Sequence, residues 1–202
     1  ANPIVFTNAY INAAPSLAAI EWGMRGPNHT VCAGWVSGMA ALEAAMLSIA
    51  TGAARAMLAG GSEALSEMLY HGLSEAGYVS MAESPEAVER DGGLVPGEGA
   101  GALLLEAPEE MGRRGVVGMG TLSAAVTRVA ADPSAAYEWA VSKALGGTAP
   151  DLYLSPGNGY SPLAAAERAA LERLGLATTF PRQIRLADTV GELFGAAAPV
   201  AV

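Results

Sequence analysis

A single cysteine, Cys32, stands in 202 residues. That excludes an internal disulfide framework and a zinc site built on cysteines. Histidine is almost as scarce, with only His29 and His71, so any imidazole chemistry would fall to these two; no metal or cofactor is expected. Both read as ordinary structural or surface residues. Cations are few: 11 Lys and Arg against 20 Asp and Glu, a formal net charge of −9. The basic residues are scattered, Arg113–Arg114 being the only short pair, which excludes a nucleic-acid footprint. Charged residues of both signs reach only 15%, a low share that fits a surface partly covered by another subunit. Glycine and charge interrupt every apolar run before the ~20 residues that a membrane span needs. No secretory signal pattern, repeat or low-complexity tract stands out, and a reducing cytoplasm is the expected compartment. The chain starts at Ala1 rather than methionine, as a trimmed, partly observed or cleaved product would.

What is abundant is alanine, glycine and hydrophobic surface, the last at 51%. This length buries a real core. Residues 13 to 24, with Pro15 in the first turn, predict a helix stopped by Gly23 and Gly26-Pro27. Residues 28 to 32, NHTVC, predict a short strand. From Ser37 to about Thr51, Met39, Leu42, Met46 and Ile49 recur at three- and four-residue steps and predict the clearest helix, closed by Gly52. Strands are expected at 55 to 59 (ended by Gly60-Gly61), 100 to 106, 116 to 127, 151 to 155 and 183 to 187. Further helices are expected at about 108 to 114, 133 to 145 and 162 to 174, the last capped by Gly175. Strands alternating with helices predict an α/β fold with a layered sheet. A boundary near 128 to 133 divides the chain into residues 1 to 128 and residues 129 to 202, packed as one unit.

Three segments carry chemistry. The first is GPNHTVCAGWVSGMAALEAA with the GAARAMLAGGSEAL that follows. The second is RDGGLVPGEGAGALLLE, residues 90 to 106, including Arg90, Asp91 and Glu98. The third pairs LYLSPGNGYSP with DTVGELFGAAA. Together they resemble the β-ketoacyl synthases of the thiolase superfamily. There, a strand after Gly-Pro delivers a cysteine to the start of a buried helix. An Arg-Asp-Gly-x-Val-x-Gly-Glu-Gly-Ala-Gly signature and two histidine motifs follow. The resemblance implies a thiolase-like layered α/β/α fold, shortened at both ends.

It also implies a site from which the reacting groups are gone. In the family the cysteine stands eight residues after the proline of Gly-Pro; counted from Pro27, that position is Trp35. Ser37-Gly38, Gly52, Ala59-Gly60-Gly61 and Glu63 keep the same register. The first histidine matches Pro156, followed by Gly157 and Asn158. The second, in Gly-His-x-x-Gly-Ala, matches Glu192 between Gly191 and Leu193, and Gly195 and Ala196 also match. A lysine five residues before it becomes Ala187, while Glu167 keeps an acidic position. Two imidazoles are needed to stabilise the developing enolate and thioester oxyanion; a proline offers no side-chain hydrogen bond, and a carboxylate repels an oxyanion.

The resemblance therefore implies a chain-length-factor-like subunit without catalytic residues of its own. Such a subunit pairs with an active ketosynthase as a heterodimer and helps shape the tunnel for an acyl or polyene chain. The family's strand after the nucleophile helix, here 55 to 59, would continue the sheet across the pair axis. Trp35, Val36, Met39, Met57 and Leu58 are the expected interface or tunnel residues, with an indole of ~150–250 Å² filling the pocket of the acyl-cysteine. The brevity is similar to short forms of the aryl-polyene type. A carrier protein, acidic itself, would dock mainly on the ketosynthase partner. A second register remains open: CAGW resembles the Cys-Ala-Gly-Phe of synthases that start chains. It would make Cys32 the nucleophile of an active thiolase-fold acyltransferase or condensing enzyme.

Overall fold

The structure is a computed structural model and describes residues 10–82, 91–148, 150–177, 179–180 and 182–202. Helix α1, Ala13–Glu21, carries Pro15 in its first turn, where the missing N–H has no intrahelical partner to lose. A 3-10 turn, Gly34–Val36, leads into α2, Ser37–Ala50. Strand β1, Ala56–Glu63, is followed by α3, Glu67–Glu75, whose Ser66 cap accepts from the Leu69 N–H. Strand β2, Gly99–Glu106, runs antiparallel to β1, with Ala59 opposite Leu103 and Gly61 opposite Gly101.

After β2 comes α4, Pro108–Arg114. Proline opens it, Glu109 and Glu110 lie in its first turn, Arg113 and Arg114 in its last, and Gly115 closes it at φ 66°. Each charge faces the helix end whose dipole it complements. Helix α5, Pro133–Leu145, is capped by the Asp132 carboxylate accepting from the Ser134 N–H, and ends at Gly146. Strand β3, Tyr153–Ser155, helix α6, Ser161–Arg173, and strand β4, Gln183–Arg185, form a parallel β-α-β unit. A short helix α7, Ala187–Val190, a 3-10 turn, Phe194–Ala196, and α8, Ala197–Ala201, complete the described chain.

The core lies where α2 crosses β1. Leu42, Ala45, Ala59 and Ala125 are buried together, with Met39, Met46, Met57, Leu103, Leu105 and Leu122 packed around them. The 194–196 turn and α8 lie against the same elements. Their approach requires glycine. A Cβ on Gly38 would stand 2.3 Å from the Gly195 carbonyl oxygen and 2.6 Å from Pro199 Cδ. One on Gly61 would stand 2.0 Å from the Gly195 oxygen.

Several expectations need correction. Residues 28 to 32 belong to no strand, and neither do 116 to 127. Strand propensity lacks effect without a ladder partner. The latter stretch still sends Leu122 and Ala125 into the core. Strand β1 does not end at Gly60-Gly61 but continues to Glu63, because the glycines admit the neighbouring backbone. The buried line of α2 is Gly38, Leu42, Ala45 and Ser48, rotated from the expected methionine stripe toward small residues. Arg90 lies outside the described residues.

Candidate functional site

The site forms where three loops meet the amino end of α2. Gly34 adopts φ +60°, a left-handed turn suited to glycine. The Ser37 hydroxyl, 2.7 Å from the Gly34 carbonyl oxygen and 2.8 Å from the Ala33 N, ties this turn to the helix. Trp35 occupies the turn itself. Cys32 lies before it, outside any helix or strand, as a free, exposed thiol. Val36 is exposed as well, at the entry to the helix.

Trp35 is not enclosed. The residue is 37% exposed, and its ring meets Tyr78 edge-on, at a centroid distance of 6.3 Å, and Tyr160 at 6.5 Å. The two tyrosines touch each other at 4.9 Å, so three rings from three separate segments wall one place. In this single chain Trp35 thus stands in an aromatic wall and keeps part of its surface exposed. Sequence reasoning missed both tyrosines. Tyr160 follows Pro156 by four residues and could have been suspected, whereas nothing near Tyr78 points to it.

Linked to the wall through Asn158 lies Glu192, 6% exposed. Its Oε2 accepts a hydrogen bond from Asn158 Nδ2 at 2.6 Å, and its Oε1 accepts one from the Phe194 N–H at 2.5 Å. Its backbone joins the 95–97 segment: the Glu192 N–H donates to the Val95 oxygen, and the Gly97 N–H donates to the Glu192 oxygen. Asn158 is itself buried, and its Oδ1 accepts from the Tyr160 N–H at 3.1 Å. Glu192 therefore ties three loops together. Phe194 turns at φ 47° to meet it, the one non-glycine with positive φ among the described residues, a costly conformation that surrounding bonds must hold. Burial pushes the Glu192 carboxyl above its ordinary value and the charge of Glu63 adds to this, against the lowering by Asn158 and Phe194.

Pro156 is exposed at the end of β3, and the backbone beside it is anchored by Glu167. That buried carboxylate accepts from the Tyr153 hydroxyl at 2.5 Å and the Ser155 hydroxyl at 2.7 Å, both through Oε1. Burial, then the bond to Glu167, raises the Tyr153 hydroxyl. Tyr137, from α5, is pushed up to about 12, first by burial and then by the charges of Glu167 and Glu192. Ala187 opens α7 and is half-buried.

The remaining expected residues divide. Met39 and Met57 pack on the core, whereas Leu58 is 43% exposed on β1. His29 is exposed, outside any helix or strand. His71 lies on the surface of α3, 3.7 Å from Glu67. Neither histidine faces the aromatic wall or Glu192 within the contacts described. Asp91 ties Ser80 to Gly93: it accepts from the Ser80 hydroxyl at 2.6 Å and the Gly93 N–H at 3.0 Å. The Ser80 bond first, then Gly93, lowers its carboxyl. Glu98 accepts from the Leu65 N–H at 3.2 Å. Among the described residues no group of His, Cys, Asp and Glu is placed to hold a metal ion, and no helix is long and apolar enough to cross a membrane. Chemically, the site offers aromatic surface and an acceptor, and neither a thiol nor an imidazole stands at its centre.

The family model for the N-terminal domain of beta-ketoacyl synthases matches residues 1–110, more than half of the chain. The chain belongs to the beta-ketoacyl synthase family. It is 32% identical over 221 residues to 3-oxoacyl-[acyl-carrier-protein] synthase 2 of Rhizobium meliloti strain 1021, covering 98% of this chain and 52% of that relative. It is 31% identical over 203 residues to the actinorhodin polyketide putative beta-ketoacyl synthase 2 of Streptomyces coelicolor, covering 91% and 49%. The chain thus spans about half the length of these relatives. Among solved structures it is similar to the ishigamide ketosynthase/chain length factor, with a TM-score of 0.81 at 22% identity over 95% of this chain and 50% of that one. It is also similar to a type II polyketide ketosynthase bound to its acyl-carrier protein, with a TM-score of 0.80 at 22% identity over 97% and 53%. The fold is the thiolase-like ketosynthase fold expected from the motifs.

Proposed function

We propose that this β-ketoacyl synthase family member is a non-catalytic, chain-length-factor-like subunit. It pairs with an active ketosynthase and helps shape the channel that receives the growing acyl or polyketide chain. The observation that carries this reading is the buried Glu192, held by Asn158 and Phe194, where the family resemblance expects an imidazole. A carboxylate fixed there accepts hydrogen bonds and adds negative charge, the opposite of what a developing oxyanion requires. Trp35 on the turn into α2 supports the same reading, since an indole forms no thioester. The placement of Cys32 before that turn, rather than in it, favours the register that puts Trp35 at the nucleophile position.

Trp35, Val36 and Leu58 are exposed apolar residues, suited to being covered by a partner subunit or by the chain in transit. Met39 and Met57 belong to the packing around the core of Leu42, Ala45, Ala59 and Ala125. The ketosynthase partner supplies the thiol and the main docking surface for the acyl carrier protein. A polyene pathway of the aryl-polyene type is the subtype proposed.

Co-expression with a candidate ketosynthase partner tests this reading. The two chains are expected to co-elute, and Trp35→Ala is expected to change product chain length more than total turnover. A chain that is soluble and monodisperse alone, ignores the ketosynthase and leaves its products unchanged would overturn the proposal.

A further inference from the structure

A cavity of about 490 Å³ opens beside the β3–α6–β4 unit, lined by Ser155, Gly157, Glu167, Arg168, Leu171 and Arg185 among others. Its size lies within the range of small-molecule sites, roughly 300–1,000 Å³. One face of α6 supplies its wall. Ala164, Glu167, Arg168 and Leu171 follow the i, i+3, i+4, i+7 pattern, which aligns side chains along one side of a helix.

Two groups on that wall are incompletely used. Glu167 is only 7% exposed, and both of its hydroxyl partners bond the same atom, Oε1. Among the described residues no donor meets Oε2. Nor is any fully buried side-chain nitrogen or oxygen left without a partner, so Oε2 opens toward the cavity that Glu167 lines. A Cβ on Gly157 would stand 3.2 Å from this oxygen, and glycine there keeps the approach open. Arg168, the next residue on the helix, makes no ion pair among the described residues. Arg185, by contrast, is bound through Nε to Asp188 Oδ1 at 2.6 Å. The wall thus offers a deep acceptor and a rim guanidinium that do not neutralise each other, with Ala164, Leu171 and Ala177 as an apolar lining.

We propose that this cavity binds a small zwitterion with an aliphatic tail, of the amino-acid class. Its ammonium donates to Glu167 Oε2, its carboxylate accepts from the Arg168 guanidinium, and its tail lies on Ala164, Leu171 and Ala177. A carboxylate facing a guanidinium and an ammonium facing a carboxylate form charge-assisted bonds, each stronger than a neutral one. The site is independent of the ketosynthase pairing proposed above, because it uses none of Trp35, Asn158 or Glu192.

The test is calorimetric and NMR titration of the full chain with L-norleucine, hexylamine and hexanoate, the last two each carrying one of the two charged groups. Norleucine is expected to saturate, and to bind at least about tenfold more tightly than either control, as expected for one charge-assisted bond. Glu167→Gln keeps an acceptor for Tyr153 and Ser155 but removes the charge, and should weaken norleucine about tenfold. Arg168→Ala should do the same, and Ala164→Met should block binding by volume while leaving both charges in place. A circular-dichroism melt of each variant separates lost binding from lost folding. Binding of hexylamine as tight as that of norleucine, insensitivity to both charge variants in folded protein, or no saturation by norleucine would each overturn the proposal.

Discussion

Asn158→Asp is the sharpest perturbation of the site. The new side chain has the shape of the old, and one oxygen can still accept from the Tyr160 N–H, as Asn158 Oδ1 does at 3.1 Å. The other oxygen faces Glu192 Oε2, 2.6 Å from where the amide nitrogen now donates. A charge-assisted hydrogen bond, about 1.5–3 kcal/mol, is replaced by two acceptors in contact. The pair must then hold a shared proton or separate. A loss of roughly 3 kcal/mol at neutral pH corresponds to roughly 6–12 °C in melting temperature for a chain of this size. Burial already raises the Glu192 carboxyl, and a neighbouring carboxylate raises it further. A group whose value is raised on folding contributes stability that is present in acid and lost as pH rises through the folded value. The deficit of Asn158→Asp should therefore shrink as pH falls toward the ordinary carboxylate range. Adding Glu192→Gln to the same chain should restore complementarity with the roles reversed. The glutamine amide then donates to the introduced carboxylate, and its oxygen accepts from the Phe194 N–H. Thermal melts of the two single variants and the double, at neutral and mildly acidic pH, give the coupling directly. Equal stability of Asn158→Asp and the parent at neutral pH, or a double variant no better than Asn158→Asp alone, would refute this account of the site.

Gly61→Ala should cost about 1–3 kcal/mol or more by overpacking, because its Cβ would stand 2.0 Å from the Gly195 carbonyl oxygen. Gly72→Ala in α3 meets nothing within 4 Å and should gain about 0.4–1 kcal/mol; urea denaturation of the pair distinguishes close packing from general glycine chemistry. In alkali, Tyr137 is held neutral up to about 12 and Tyr153 is raised in the same direction. Their contribution to stability is full below the ordinary tyrosine value of 10.0 and is lost as pH rises through the folded values. Tyrosinate absorbance should show delayed ionisation that coincides with unfolding, and Tyr137→Phe should reduce the alkaline loss.

Much of this was legible in the sequence where the signal is local. Helix α5 follows from Asp132-Pro133 at one end and Gly146 at the other, and α6 from its apolar spacing. The Gly-rich segments after Pro27 and Arg90 identified the family because glycine is demanded at fixed points by close backbone approach. The rest depended on partners distant in the chain. Residues 28 to 32 and 116 to 127 have strand-forming composition, but no ladder forms on them among the described residues. Gly60-Gly61 reads as a strand end locally, yet β1 continues because Gly101 and Gly195 lie against it. At the site, Trp35, Pro156 and Glu192 were reached by register. The bond between Glu192 and Asn158, 34 residues apart, and the convergence of Tyr78 on Trp35 leave no periodic trace.

The central claim is that this chain holds no acyl group of its own. Intact-mass measurement after incubation with an acyl-carrier thioester, with and without the ketosynthase partner, tests it most directly. The account predicts no covalent acyl adduct on this chain, and Cys32→Ala that supports the same product formation in the pair. Stoichiometric acylation of Cys32, with turnover abolished in Cys32→Ala, would contradict it.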